Sequence, residues 1–218
     1  MSHWEIRVAL VFGLFIAGIP NLHAESTVSS LSVIEAQVTK GRAAKTGYTR
    51  AQFGQRWADV DRNGCDTRND ILKRDLTAEV FKVQSHDCVV LSGKLLDPYS
   101  GEMINFVRGN ISSMEVQIDH VVALSNAWQT GAFKLSLTDR TAFANDPLNL
   151  LAVKGRLNSQ KGDGDAATWL PPLKSYRCEY VSRQIAVKVK YKILFTAPEK
   201  AAMIRILKSC PEQALPTS

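Results

Sequence analysis

Glu115-Val116-Gln117-Ile118-Asp119-His120-Val121-Val122-Ala123-Leu124 is the stretch that decides the fold. It begins as an apolar, strand-like run and ends by placing a carboxylate and an imidazole side by side. Neighbouring residues of a strand point to opposite faces, so Asp119 and His120 can serve one site only where the strand ends and the backbone turns. The stretch therefore predicts a short strand that delivers an Asp-His pair, followed by a helix over 123–130.

Two polar segments downstream supply further candidate residues. Asn149 lies between leucines in Asn145-Asp146-Pro147-Leu148-Asn149-Leu150-Leu151, where its amide is suited to bonding backbone groups and bracing the loop of His120. Asn158 lies in the polar run Asn158-Ser159-Gln160-Lys161-Gly162-Asp163 and is the better metal-ligand candidate. Lys161 in the same run is a candidate phosphate contact.

This set of side chains suits hydrolysis of a phosphodiester. A histidine titrating near neutrality acts as the general base that deprotonates water. A hard divalent cation held by carboxylate and amide oxygens neutralises the phosphate and the leaving oxygen. Asp119 and Asn158 offer such oxygens, and so few protein ligands leave room for water and substrate.

Patterning along the chain predicts an α+β fold. Apolar runs over 88–96 and 101–107, separated by a Pro- and Gly-containing turn, predict a hairpin. Helical patterns follow over 136–143, 166–170, 178–191 and 199–207. Arg68, in the polar run Cys65-Asp66-Thr67-Arg68-Asn69-Asp70, is either a phosphate contact or the partner of a buried ion pair with Asp66 or Asp70.

The first 24 residues differ from the rest. An apolar run over 8–19, a break at Pro20 and a small residue at Ala24 form the pattern of a secretory signal peptide, with an uncleaved anchor as the alternative. We expect a signal peptide at 1–24, a flexible leader at 25–48 and a nuclease domain at 49–218. The mature protein should then be secreted or periplasmic, without stable membrane association.

Charge and cysteine content agree with an exported protein. The net charge of +6 is a mild basic excess that suits a polyanionic partner without requiring one. Four cysteines in the exported part predict two disulfides. Three pairings are open, and we favour Cys65–Cys88 and Cys178–Cys210 because each would tie neighbouring segments together. Zinc binding is disfavoured because no Cys-x-x-Cys motif and no paired histidine occur.

The motifs resemble a known superfamily. Across about 53–191 the chain resembles the HNH, or ββα-metal (His-Me finger), endonucleases, in a secreted branch related to the nuclease domain of GmrSD-type restriction enzymes. Beyond the segments already quoted, the matching motifs are Trp57, Asn63-Gly64-Cys65-Asp66-Thr67-Arg68-Asn69-Asp70-Ile71-Leu72, Asp97-Pro98-Tyr99 with Gly101, Ala127-Trp128, Gly131-Ala132 and Trp169-Leu170-Pro171-Pro172. Several motifs in the right order are far more specific than a lone Asp-His pair.

The resemblance implies a ββα-metal core of a short antiparallel sheet and a crossing helix, with further helices around it. It implies that His120 is the base, Asp119 and Asn158 are the metal ligands, Asn149 is the brace and Lys161 contacts phosphate. The last ligand position holds Asn instead of His, which favours magnesium first and manganese second.

The expected function is metal-dependent endonucleolytic cleavage of DNA, with RNA as a second substrate. Low sequence specificity is expected because no base-reading motif is recognisable. One alternative is a non-catalytic exported nucleic-acid-binding or DNA-uptake protein on the same scaffold. Another is a hydrolase using the paired carboxylates Asp59 and Asp61. Nothing in the sequence identifies an immunity or inhibitor partner.

Overall fold

A computed structural model describes residue 1, residues 28–109 and residues 114–217. The expected signal peptide lies outside these ranges apart from Met1. Within them the chain forms the expected α+β fold. The helices are α1 (Ser30–Glu35), α2 (Thr67–Asp75), α3 (Leu124–Gln129), α4 (Leu137–Ala144), α5 (Gly155–Lys161), α6 (Arg177–Lys190) and α7 (Ala197–Leu207). The strands are β1 (Leu76–Phe81), β2 (Val90–Leu96), β3 (Met103–Val107), β4 (Val116–His120) and β5 (Leu150–Lys154).

The strands form two small antiparallel sheets. The first has the order β1-β2-β3, and the β2–β3 hairpin appears where the Pro- and Gly-containing turn predicts it. The second pairs β4 with β5, so that His120 lies opposite Leu150 and Val116 opposite Lys154. Strand β4 therefore continues through Asp119 and His120 instead of ending before them.

Helix α5 follows β5 directly and completes a ββα unit. The Gly155 N–H donates to the Glu115 carbonyl at 2.9 Å, which places the start of α5 against the beginning of β4. A Cβ atom at Gly155 would lie 1.9 Å from the Met114 carbonyl oxygen, closer than atoms can approach. Glycine at 155 is thus required by the contact between helix and strand.

Side-chain caps begin several of the helices. Asp66 accepts from the Asn69 N–H at the start of α2, and Ser136 accepts from the Asp139 N–H at the start of α4. Thr196 and Glu199 form a reciprocal capping box at the start of α7. Local sequence therefore sets where these helices begin.

The described part of the expected leader is packed against the domain. Ile34 in α1 is fully buried in a core cluster with residues of α6 and α7. Single β-bridges join Ser29 to Ala214 and Thr39 to Phe195. Ile34 thus anchors α1 in the core, while most side chains over 35–47 are exposed. The flexible leader at 25–48 stays a prediction.

One helix prediction is wrong. Residues 166–168 form a turn and residues 169 and 170 have no regular secondary structure, whereas apolar spacing predicts a helix there. The Asp165 carboxylate accepts from the Ala167 N–H at 3.0 Å and from Arg42 at 2.6 Å, and these bonds stabilise a turn in place of helical hydrogen bonds.

Both favoured disulfides are confirmed. Cys65 bonds to Cys88 and Cys178 bonds to Cys210. The first connects the start of α2 to the segment before β2, and the second connects the start of α6 to the end of α7.

Over the described ranges, no helix combines the length and apolar character needed to cross a bilayer.

Candidate active site

The ends of β4 and α5 open into a cleft of about 790 Å³. Asp119, His120 and Asn158 all line it, together with Arg68. Asp119 and Asn158 are 39 positions apart in the chain, and the ββα unit brings them to one cavity. Asn149 and Lys161 lie behind this surface, where both are buried.

The orientation of His120 is set by one hydrogen bond and one stacking contact. Its Nε2 lies 2.9 Å from the Ala144 carbonyl oxygen at the end of α4. Because a carbonyl only accepts, Nε2 carries the hydrogen and Nδ1 is left with a lone pair. The Trp57 ring stacks on the imidazole at 6.1 Å between centroids and 14° between planes.

The surroundings keep this imidazole neutral. Burial lowers the pKa of His120 from 6.5 to about 3, and the nearby positive charges of Arg50, Lys161 and Arg56 act in the same direction. The bond to Ala144 opposes the shift but does not cancel it. At neutral pH His120 is therefore uncharged and able to accept a proton. The expectation of a histidine that titrates near neutrality does not match this lowered pKa, because burial and the surrounding cations disfavour the charged ring.

Asn149 holds the chain just after His120. Its Oδ1 accepts from the Val122 N–H at 2.8 Å, and its Nδ2 donates to the carbonyls of Val122 at 3.4 Å and Phe143 at 3.3 Å. The backbone of Asn149 also accepts from the Val121 N–H. The side chain does not line the cleft, so its geometry is that of a structural brace.

The Asp119 carboxylate is engaged on both oxygens. Oδ1 accepts from Lys161 Nζ at 2.9 Å and Oδ2 accepts from the Tyr99 hydroxyl at 2.5 Å. Burial and the charge of Asp119 raise the pKa of Tyr99 well above its usual value, so this hydroxyl stays protonated and donates. A carboxylate has about four acceptor positions, so two remain for a further ligand.

Lys161 is not placed where a phosphate contact is expected. Its side chain is 0% exposed and its Nζ donates to Asp119 and, at 2.8 Å, to the His120 carbonyl. Sequence reasoning favours exposure for a lysine in a polar run, but α5 turns this side chain inward, where the Asp119 charge compensates its burial. Lys161 therefore connects α5 to the Asp119 carboxylate and to the backbone of His120.

Asn158 reaches the cleft from the middle of α5. Its Nδ2 donates to Gln117 Oε1 at 2.9 Å, which orients the amide. Asn158 Oδ1 has no hydrogen-bond donor among the residues that the structure describes. Asp119 and Asn158 together offer one anionic and one neutral oxygen, which fits a magnesium ion held mainly by water and substrate.

A cation cage built from protein groups alone is absent from the described ranges. They contain no group of three or more His, Cys, Asp or Glu side chains arranged to hold a metal. Zinc and structural calcium normally require such a group, whereas magnesium at phosphate sites does not.

Arg68 lines the cleft without the ion pair considered as its alternative role. The Asp66 carboxylate caps α2 through Asn69, and Asp70 accepts from Asn63. Neither forms a salt bridge with Arg68 in the part of the chain that the structure describes. Burial and the charge of Arg108 lower the pKa of Arg68, and the charge of Asp66 opposes this shift.

Comparison with known proteins agrees with this geometry. The family described as GmrSD restriction endonucleases, C-terminal domain, matches residues 66–206. The chain belongs to this family. It is also 36% identical over 194 residues to an uncharacterized secreted protein of Arthroderma benhamiae, covering 88% of each chain. No solved structure matches the chain.

Membership in the GmrSD C-terminal domain family places the chain among nuclease-type hydrolases, with nucleic acid as the substrate class. The two disulfides and the secreted relative agree with the predicted location outside the cytoplasm, which is confirmed. The family match begins at Asp66, yet part of the cleft wall comes from residues before it.

Four cleft residues in that preceding segment were missed by sequence reasoning, namely Tyr48, Arg50, Arg56 and Trp57. Fully buried Phe53 anchors this segment, and the Asn145 side chain bonds the Ala58 N–H and the Gln55 carbonyl on either side of Arg56 and Trp57. Alternation of aromatic and basic residues over 48–57 was the available signal. Arg108, which also lines the cleft, follows β3 and carried no such signal.

Proposed function

We propose that the protein is an exported, metal-dependent HNH-type endonuclease that hydrolyses phosphodiester bonds of DNA, and of RNA as a second substrate, with low sequence specificity. The observation that carries the proposal is the orientation of His120, whose Nδ1 lone pair is left available in a cleft that also contains Asp119 and Asn158.

His120 performs the proton transfer in this proposal. Its Nδ1 accepts the proton of a water molecule that attacks the phosphorus atom, while the Nε2–H bond to Ala144 keeps the ring in place. Asp119 and Asn158 would hold a magnesium ion, which would supply charge neutralisation at the phosphate and at the leaving oxygen as the P–O bond to it breaks. Lys161 and Tyr99 fix the Asp119 carboxylate.

The composition of the cleft wall supports low sequence specificity. The basic side chains that line it are arginines, namely Arg50, Arg56, Arg68 and Arg108. Such groups contact phosphates, which are the same at every nucleotide, and contacts to phosphate make binding dependent on salt.

Plasmid cleavage tests the proposal. We expect His120→Ala to lower the cleavage rate by about 10²- to 10⁴-fold, the usual contribution of a general base. His86→Ala is the matched control, because His86 is exposed and lies outside the cleft, and it should cleave like the wild type. EDTA should abolish cleavage, and magnesium should restore it. Full activity of His120→Ala, or cleavage in EDTA, would reject the proposal.

A further inference from the structure

The four arginines that line the cleft fall into two groups. Arg50 and Arg56 belong to the segment that ends at Trp57, whose ring stacks on His120. Arg68 lies next to Asn69 in α2, and Asn69 Oδ1 accepts a hydrogen bond from Arg108. The first group is thus connected to the reacting histidine, and the second group is built on α2 and the end of β3.

Arg50 has a buried guanidinium without a partner. Its Nη1 and Nη2 are both buried, and neither has a hydrogen-bond partner among the described residues. The backbone position is fixed because Arg50 begins a short 3-10 helix that ends at buried Phe53. An unsatisfied buried donor carries a free-energy penalty, which a phosphate oxygen entering the cleft would remove.

Arg108 and Arg68 differ in how they are held. Arg108 donates from Nε to the Val90 carbonyl at 2.7 Å and from Nη2 to Asn69 Oδ1, so its guanidinium is fixed. Arg68 has no hydrogen bond or ion pair within residues 28–109 and 114–217. Two positive charges that line the same cleft, one fixed and one without a hydrogen-bonding partner among the described residues, are stabilised when an anion binds both.

Resting on the proposed function, we infer that the cleft holds two successive phosphates of one strand. Arg50, assisted by Arg56, binds the phosphate that is cleaved, and Arg68 with Arg108 binds a neighbouring phosphate. The preferred substrate is therefore a polynucleotide with consecutive phosphates, and a diester with a single phosphate fills only the first subsite. The residues of the first subsite precede the family match, so that match alone does not contain the complete site.

Two substrates separate the subsites. Bis(4-nitrophenyl) phosphate has one phosphate, and plasmid DNA has many. We expect Arg50→Ala to lower kcat/KM on both substrates by about tenfold or more, the usual effect of losing a charged hydrogen bond. Arg68→Ala should lower kcat/KM on DNA to a similar extent and lower kcat/KM on the small diester by a clearly smaller factor, because the small diester has no second phosphate. Arg68→Lys should recover part of the loss on DNA.

Arg205→Ala is the matched control, because Arg205 is an exposed arginine of α7 outside the cleft. It should match wild type on both substrates. Each cleft variant should also reduce the slope of log affinity against log salt by about one relative to this control. The melting temperature of Arg50→Ala should not fall, because the variant removes a buried charge that has no partner; a fall would reveal a structural role instead.

Binding by the His120→Ala protein keeps the inference separate from the proposed activity. Fluorescence anisotropy with a labelled single-stranded octanucleotide should show weaker binding when either Arg50→Ala or Arg68→Ala is added. This result would support the two subsites even if the wild type cleaved neither substrate. The two subsites would be overturned if both double variants bound the octanucleotide as tightly as the His120→Ala/Arg205→Ala protein. They would also be overturned if Arg68→Ala lowered kcat/KM equally on DNA and on the small diester.

Discussion

His120 illustrates how much of the site depends on the contacts of a single ring. The Ala144 carbonyl decides which nitrogen carries the hydrogen, Trp57 covers one face, and Asn149 holds the backbone two residues later. None of these partners is a neighbour of His120 in sequence. A histidine in this sequence context is a plausible base, but its tautomer is a property of the fold.

Lys161 is the residue whose placement most changes the description of the site. Replacing it with methionine removes the ammonium and keeps most of the volume, so the buried Asp119 charge loses its partner. We expect Lys161→Met to lower the free energy of unfolding by about 3–5 kcal/mol, as when one partner of a buried ion pair is removed. Urea unfolding measures this loss.

Lys45→Met provides the control for that measurement. Lys45 also pairs with an aspartate, Asp163, but both side chains are about half exposed, so a much smaller loss is expected. If Asp119 binds magnesium, the added ion should stabilise Lys161→Met more than wild type, because it replaces the missing positive charge. Equal losses in the two variants would contradict the assigned role of Lys161.

At the scale of elements, the close approach of α5 to β4 brings Asn158 to the same cleft as Asp119. Gly155→Ala should lower the free energy of unfolding by about 1–3 kcal/mol, because the new Cβ overlaps the Met114 carbonyl and the helix must move. DNA cleavage should fall as well, since the displacement carries Asn158 with it. Both effects are measured by urea unfolding and plasmid cleavage.

Gly41→Ala is the control for a methyl group added at an open position. A Cβ there meets nothing within 4 Å, and the backbone does not require glycine. We expect unchanged cleavage and a stability equal to wild type or higher by up to about 1 kcal/mol. Wild-type stability and activity of Gly155→Ala would show that the contact between α5 and β4 is not needed.

The elements differ in how well the sequence predicted them. The β2–β3 hairpin and helices α3, α4, α6 and α7 follow from alternation, helical spacing and local caps, all of which act over a few residues. Residue patterning did not locate helix α5, because its polar composition resembles a loop; only the family resemblance implied a crossing helix. Residues 166–170 were assigned to a helix because the bonds of the Asp165 side chain are not visible in an apolar pattern.

At the scale of the whole molecule, the two disulfides are expected to differ in their effect on activity. Cys65–Cys88 joins cysteines 23 residues apart and adjoins α2, which carries Arg68. Cys178–Cys210 joins cysteines 32 residues apart and connects α6 to α7, away from the cleft. Replacing either pair with serines should cost about 3 kcal/mol of stability. Only the Cys65/Cys88 variant should also lose DNA cleavage at 25 °C.

Unfolding in urea with and without dithiothreitol checks the stability, and plasmid cleavage below the unfolding transition checks the activity. Wild type treated with reductant should approach the stability of a variant that lacks both disulfides, which is the internal control. Equal losses of cleavage in the two disulfide variants would show that the first disulfide has no particular connection to the cleft.

The sequence by itself determined the fold class and the hairpin and made Asp119, His120, Asn149 and Asn158 the candidate site residues, because these depend on local patterns and on residue chemistry. It left three disulfide pairings open, and the tertiary structure decided between them. The tertiary structure decided that Lys161 is buried against Asp119, that Ala144 and Trp57 orient His120, and that arginines from segments before α2 and after β3 share one cleft. Burial, ion pairing and the direction of a side chain arise only when distant segments pack together, since they depend on neighbours in space and not on neighbours in the chain.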